Sequence, residues 1–191
     1  MRQLSFSPAE YLALEREAPC KSEYINGQIY AMAGASEQHN LITLNTAADL
    51  NLQFRGRGCR AYVNDMRVKV SPTGIYTYPD IVAVCGEPRF EDSHTDTLIN
   101  PSVIVEVLSP TTEAYDRGEK FAHYRRLDSL QEYVLVAQDK VRVEHYARQA
   151  DGWLLTEISD LDGTLRLAAI DCAVSLRDIY DKVEFGDAAT G

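Results

Sequence analysis

PSVIVEVLSP, residues 101–110, decides the fold: it is β-branched and apolar on both alternating sides, broken only by Glu106. A run of that kind is expected of a strand covered on both faces. A lone carboxylate in it costs several kcal/mol or is neutralised, so Glu106 needs a cation, a hydrogen-bond network or a metal. Upstream, YPDIVAVC at 78–85 has the same character, with Asp80 after Pro79 at the strand's entrance. If the two strands are neighbours, two carboxylates converge. Like charges that close raise each other's proton affinity unless a divalent cation intervenes, and hard oxygen ligands suit Mg²⁺.

Downstream, the segment after Pro110 reads as a helix capped by Thr111 or Thr112 and running to about Leu127. Asp116, Lys120 and Tyr124 stand four residues apart on one of its stripes, which leans over the end of the Glu106 strand. A lysine beside a metal-bound water and a phosphate orients the nucleophile and offsets developing negative charge.

The remaining chain reads as further helices and strands. FSPAEYLALEREA at 6–18 opens with Ser7 as cap, Pro8 at the first helical position and Glu10 closing a capping box, with Phe6 and Tyr11 at staple spacing. Strands over 23–26 and 28–32 turn at Asn26-Gly27. A helix from Ser36 to about Phe54 carries Leu41, Leu44, Ala48 and Leu52 along one side, before Gly56 and Gly58 end it. From Cys59 to Val70 the chain alternates, with Met66, Val68 and Val70 inward and Asp65, Arg67 and Lys69 on a charged outer face. EYVLVAQ, VRVEHYA and WLLTEIS are antiparallel strands, expected as an added extension over 131–168, and a short helix near 175–183 closes the chain. No repeat or linker divides residues 1–191. The expectation is one mixed α/β domain with a central mixed sheet flanked by helices.

Composition narrows the function. With 191 residues, 45% of them apolar, the chain can bury a core without staples. No apolar run approaches the ~18–20 residues of a bilayer span, and no signal for export follows Met1, so a cytoplasmic protein with no membrane role is expected. Cys20, Cys59, Cys85 and Cys172 show no paired spacing, which excludes a zinc knuckle and leads one to expect reduced thiols. The formal charge of −10 excludes indiscriminate coating of nucleic acid, so DNA contact needs a local basic patch. Candidates are Arg55, Arg57 and Arg60, with Arg67, Lys69, Arg125 and Arg126. No aromatic interleaving of the single-strand stacking kind is evident.

YPD at 78–80, PSVIVEVLSP at 101–110 and the D-x-x-x-K-x-x-x-Y helix at 116–124 resemble the PD-(D/E)XK nuclease superfamily. More narrowly, they resemble its Uma-type, restriction-endonuclease-like family. EYINGQIYAM from residue 23, Ser36 with His39, and EYVLV at 132–136 extend the resemblance over nearly the whole chain. It implies a restriction-endonuclease-like fold and a Mg²⁺ or Mn²⁺ site made by Asp80, Glu106 and the backbone carbonyl after Glu106. It also implies Lys120 as the motif lysine and hydrolysis of DNA phosphodiester bonds. The superfamily's plain pattern puts the lysine two residues after the acid, where this chain has Leu108. Migration to the following helix makes Lys120 the candidate. Glu23 and His39 match family positions, Glu23 as a ligand of a second metal or a water-positioning group and His39 as a proton shuttle or phosphate contact. His94, His123 and His145 lack ligand spacing. A homodimer would suit cutting two strands. The alternative from another class is an inactive module keeping the nuclease fold for binding or assembly. DLDGT at 160–164 matches a phosphatase nucleophile motif, but too little chain follows it, and Asp-Gly after a strand is an ordinary hairpin signal.

Overall fold

Each alternation along PSVIVEVLSP finds its own layer. The computed structural model describes residues 5–70 and 74–185. The chain opens with α1 (Pro8–Glu17), β1 (Ser22–Ile25), β2 (Gln28–Ala31), α2 (Glu37–Gln53), β3 (Cys59–Val63) and β4 (Arg67–Val70). It continues with β5 (Ile75–Thr77), β6 (Ile81–Cys85), β7 (Thr97–Leu98) and β8 (Val103–Leu108). Next, α3 (Glu113–Tyr115) passes through a π turn (Asp116–Lys120) into α4 (Phe121–Tyr124). The strands β9 (Glu132–Ala137), β10 (Val143–Gln149), β11 (Gly152–Ile158), β12 (Thr164–Leu167) and β13 (Cys172–Ser175) precede α5 (Leu176–Ile179).

The central sheet has six strands in the order β11-β10-β9-β8-β6-β3. Within it β8 and β9 run parallel, while β6 lies antiparallel to β8. A second sheet has the order β2-β1-β5-β4-β7, and β12 pairs with β13 as a separate hairpin. All of β8 is buried. Val103, Val105 and Val107 pack with Ile42, Leu50 and Phe54 of the α2 side, whereas Ile104 and Leu108 meet Phe121 and Tyr124 on the α4 side. Glu106 shares the parity of Ile104 and Leu108, so the pleat itself aims it at the helix that carries Lys120.

Local signals act where the sequence places them. Ser7 accepts from the Glu10 N–H while Glu10 accepts from Ser7, completing the capping box of α1. The β1–β2 hairpin turns at Asn26 and Gly27, both at positive φ (49° and 93°), as a tight hairpin of this kind requires.

Several expectations are corrected. The alternating run 59–70 is two strands in different sheets, parted at Asn64, whose φ is +51°. Arg67 is accordingly 2% exposed rather than on an outer face. It reaches Asp96 (2.9 Å), the Tyr78 hydroxyl (2.8 Å) and Thr97 (3.0 Å), so a guanidinium with full hydrogen bonding replaces solvent. On α2 the buried residues are Ile42, Thr43, Thr46 and Leu50, while Leu44 and Leu52 are 64% and 56% exposed. The buried stripe joins Ile42 and Leu50 to two threonines, and Thr43 donates its hydroxyl to the His39 carbonyl (2.9 Å). The strands β9–β11 extend the central sheet, β10 and β11 antiparallel as expected, but β9 joins β8 in parallel and β12 leaves for the hairpin with β13. At the start of the helix after Pro110, Thr112 makes no side-chain cap; the Ser109 hydroxyl accepts from the Thr112 N–H (3.2 Å).

The expectation of reduced thiols also fails for one pair. Cys59 and Cys85 are directly opposite on β3 and β6 and form a disulfide with a Cα–Cα distance of 4.0 Å. Their separation of 26 residues hid a contact that only strand pairing creates. Cys20 is an exposed thiol and Cys172 a buried one. Among the described residues, no helix is long and apolar enough to cross a membrane.

Candidate active site

Four elements deliver carboxylates to one place. Ile81 pairs with Val105 across the antiparallel β6–β8 ladder, so Asp80, just before β6, lies opposite Glu106. The Val107 N–H donates to Asp80 Oδ2 (2.7 Å), fixing that carboxyl against the neighbouring strand. Glu23 comes from β1 and accepts from the Tyr78 N–H (3.3 Å). On the other side, His39 Nε2 stands 3.2 Å from Asp80 Oδ2. Its position is set by Ser36, which caps α2 by accepting from the His39 N–H (3.1 Å) and donates to Gln138 Oε1 (2.6 Å).

Lys120 enters from the π turn, 7% exposed, with its Nζ 2.9 Å from Glu106 Oε1, 3.4 Å from Asp116 Oδ1 and 3.6 Å from Glu23 Oε1. Tyr124 donates to the same Glu106 oxygen (3.0 Å), and its hydroxyl is 2.8 Å from Thr77 Oγ1. The backbone also joins in, because the Asp116 carbonyl accepts from the Tyr133 hydroxyl (3.0 Å). A widened helical turn at such a spot is a recurrent feature of functional sites. Here it presents Asp116 and Lys120 together to the sheet.

Charge in this cluster is unbalanced. Glu23, Asp80, Glu106 and Asp116 line one cavity of about 740 Å³ with a single buried ammonium, Lys120. Burial pushes the Glu106 carboxyl well above its usual range; Lys120 pulls it back, and Asp80 and Asp116 push it further up. Burial alone would lower Lys120, but Glu106 first, then Tyr124, Glu23 and Asp116, hold it well above its ordinary value. Both directions follow from one cause, an excess of carboxylates over cations in a poorly solvated place. The lysine therefore stays charged, and the carboxylates favour any further positive charge.

Asp80, Glu106, Lys120, Glu23 and His39 all line this cavity. Tyr78, Tyr30 and Tyr115 line it too, none of them among the candidates expected from sequence. The adjacency of Tyr78 to Asp80 was a usable signal; nothing local marked Tyr115. The proposed basic patch is not gathered here. Arg67 is buried, Lys69 pairs with Glu91 (2.6 Å), and Arg57 donates to the Ile170 and Asp171 carbonyls. Arg55, Arg60, Arg125 and Arg126 are exposed and do not line the cavity. His94 pairs with Asp92 and His145 with Glu132, both away from the site. Asp160 and Asp162 lie in the β11–β12 turn, where Asp162 pairs with Arg177.

The Uma2 family model, described as "Putative restriction endonuclease", matches residues 8–177. The chain belongs to the Uma2 family. Two proteins of Synechocystis sp. (strain PCC 6803) are similar to it. "Uncharacterized protein sll1609" is 43% identical over 151 residues, covering 78% of this chain and 85% of that protein. "Uncharacterized protein slr1290" is 37% identical over 180 residues, covering 94% and 93%. Among solved structures, a crystal structure from Anabaena variabilis, titled a putative nuclease belonging to DUF820, superposes with a TM-score of 0.76. At 21% identity, over 92% of this chain and 97% of that one, the likeness concerns the fold. The restriction-endonuclease-like α/β fold expected for this Uma2 chain is the one it adopts.

A metal is tested by its donors. Among the described residues, no three or more His, Cys, Asp and Glu side chains gather to hold an ion by themselves. The facing pair Asp80 and Glu106 offers hard oxygen donors amid uncompensated negative charge. That set fits a hard divalent cation which keeps most of its own waters.

Proposed function

We propose that this Uma2 chain is a single-domain, metal-dependent endonuclease that hydrolyses DNA phosphodiester bonds in the cavity described above. The observation carrying the reading is the convergence of Asp80, Glu106 and Lys120, remote in sequence, on one carboxylate-rich cavity at a sheet end. Asp80 and Glu106, with the Val107 carbonyl, would hold Mg²⁺ or Mn²⁺. Bound there, the ion would supply Lewis-acid charge to the phosphate and lower the pKa of a water.

The chain's own groups do the rest. Lys120 keeps its proton at neutral pH, so it is a donor and a fixed positive charge, orienting the attacking water and stabilising the phosphorane-like transition state. Asp116 holds that ammonium from the helix side, and Tyr124 donates to the Glu106 oxygen that faces it. Glu23 orients water at the opposite wall, and His39, within reach of Asp80, moves a proton or contacts phosphate. The enzyme acts as a homodimer in the cytoplasm, where two sites address two strands.

Purified protein is incubated with supercoiled plasmid and with single-stranded circular DNA in Mg²⁺ or Mn²⁺. Cleavage that disappears in Asp80→Ala and Lys120→Ala supports the reading; cleavage that persists in both assigns the activity elsewhere. The rival is an inactive module, favoured by the saturation of Lys120 with three carboxylates. Calorimetric titration with Mn²⁺ separates the two, since a non-enzymatic module has no reason to bind the ion.

A further inference from the structure

The mouth of the cavity differs in character from its floor. Its floor is ionic, but one lip is the exposed segment 30–35, YAMAGA, which carries no charge. Ser109 to Thr112, which line the cavity as well, are also uncharged. Tyr30 is 52% exposed and Met32 is 37% exposed, both among the large apolar side chains open to solvent. Tyr30 is directly opposite Glu23 in the β1–β2 ladder, so its ring stands on the same sheet face as that carboxylate. The Met32 N–H bonds to the Lys21 carbonyl, carrying the same alternation one step further toward the rim.

Cations are scarce around this mouth. Besides Lys120 on the floor, Lys21 alone among the described residues contributes a lysine or arginine to the lining, and it is paired with Asp65 at 2.8 Å. Binding intact duplex by its backbone requires a run of Lys and Arg contacts to phosphates. The described lining offers no such run. An aromatic ring and a thioether at the mouth suit the flat face of a base, which stacks on such groups whatever its identity. A volume of about 740 Å³ leaves room for one nucleotide inside the cavity.

We propose that the substrate of this site is DNA with an unpaired nucleotide, whose base stacks on Tyr30 and Met32 while its phosphate reaches the Asp80–Glu106–Lys120 floor. The inference rests on the nuclease reading for the fate of the phosphate, but recognition of the base does not depend on turnover. The stacking pair lies on an edge strand and its extension, and only the hairpin register brings it to the site.

Fluorescence anisotropy of labelled (dT)12, its perfect duplex with (dA)12, and the same duplex bearing a two-nucleotide bulge tests the proposal, in Mg²⁺ and again in EDTA. The single strand and the bulged duplex are expected to bind at least about tenfold tighter than the perfect duplex, with weak dependence on salt. Tyr30→Ala should weaken binding of (dT)12 by roughly tenfold, the loss of one stacked base, and Tyr30→Phe should restore it. Perfect duplex bound as tightly as (dT)12, a steep salt dependence, or Tyr30→Ala without effect each overturns the proposal. Discrimination by Tyr30 in a protein that cleaves nothing would instead leave base recognition standing and remove the nuclease reading.

Discussion

Replacing Lys120 by Met removes the ammonium while keeping most of the side chain's length and apolar volume. Three carboxylates, at 2.9, 3.4 and 3.6 Å, then share a buried site with no cation between them. Breaking one side of a buried ion pair costs about 3–5 kcal/mol, because the remaining charge is left without compensation. In a chain of 191 residues each kcal/mol shifts the melting temperature by about 2–4 °C. Thermal unfolding followed by circular dichroism in EDTA at pH 7 should therefore show a drop of roughly 6–20 °C. The pH dependence sharpens the test. Glu106 already binds its proton more tightly folded than unfolded, where its value is 4.5, and loss of Lys120 strengthens that preference. A folded-state pKa above the unfolded one makes stability fall as pH rises from about 4.5 through the folded value. Lys120→Met should thus be penalised least near the unfolded value of about 4.5 and increasingly as pH rises from there, and adding Glu106→Gln should recover part of the loss. A melting temperature within 2 °C of wild type at every pH (about the shift of half to one kcal/mol) would refute the account of a charge-starved core.

Asp80→Asn preserves an acceptor for the Val107 N–H but halves the anionic pair; calorimetry should show Mn²⁺ binding lost and gel assays cleavage reduced at least about a hundredfold, with the fold retained. Thiol titration under denaturing, non-reducing conditions should count Cys20 and Cys172 only, and all four cysteines after reduction. Reduction of the Cys59–Cys85 bond, which spans 26 residues, should lower stability by about 3–4 kcal/mol in denaturant unfolding; an unchanged midpoint would show that the bond restrains nothing. Ser7→Ala opens the capping box of α1 and should cost about 1 kcal/mol by the same assay without altering DNA cleavage, since α1 does not line the cavity.

What could be read in advance depended on whether the deciding contact was local. Ser7 with Glu10 and Asn26 with Gly27 act within a few residues, and their roles followed from spacing alone. The buried strands around Asp80 and Glu106 were legible from unbroken apolar character, and the oddity of Glu106 was legible from burial cost. Lys120 was a different case, because an i,i+4 acid–lysine pair is ordinary on a solvated helix and only the family pattern raised it. Arg67 was misread since a polar parity was taken to face water, whereas α1 lies on that side with the Tyr11 ring 5.8 Å from the guanidinium, and Asp96, Tyr78 and Thr97 bond it. For α2 two helical stripes competed, and the one with Leu44 and Leu52 lost to the one in which Ile42 and Leu50 enter the core beside Thr43 and Thr46. The pairing of Cys59 with Cys85 and the arrival of Tyr30 beside Glu23 are products of strand register, which no window of sequence contains.

The π turn that carries Asp116 and Lys120 has a consequence for how such an enzyme tolerates change. A lysine borne on the strand, two positions past the acid, is locked to it by the pleat. Carried on a helix, the ammonium answers instead to rotational phase: excising one residue from the turn would rotate its N-terminal half by about 100° against its C-terminal half. Tolerance to insertion and deletion in this stretch should therefore be far narrower than its exposed residues, Gly118 among them, suggest.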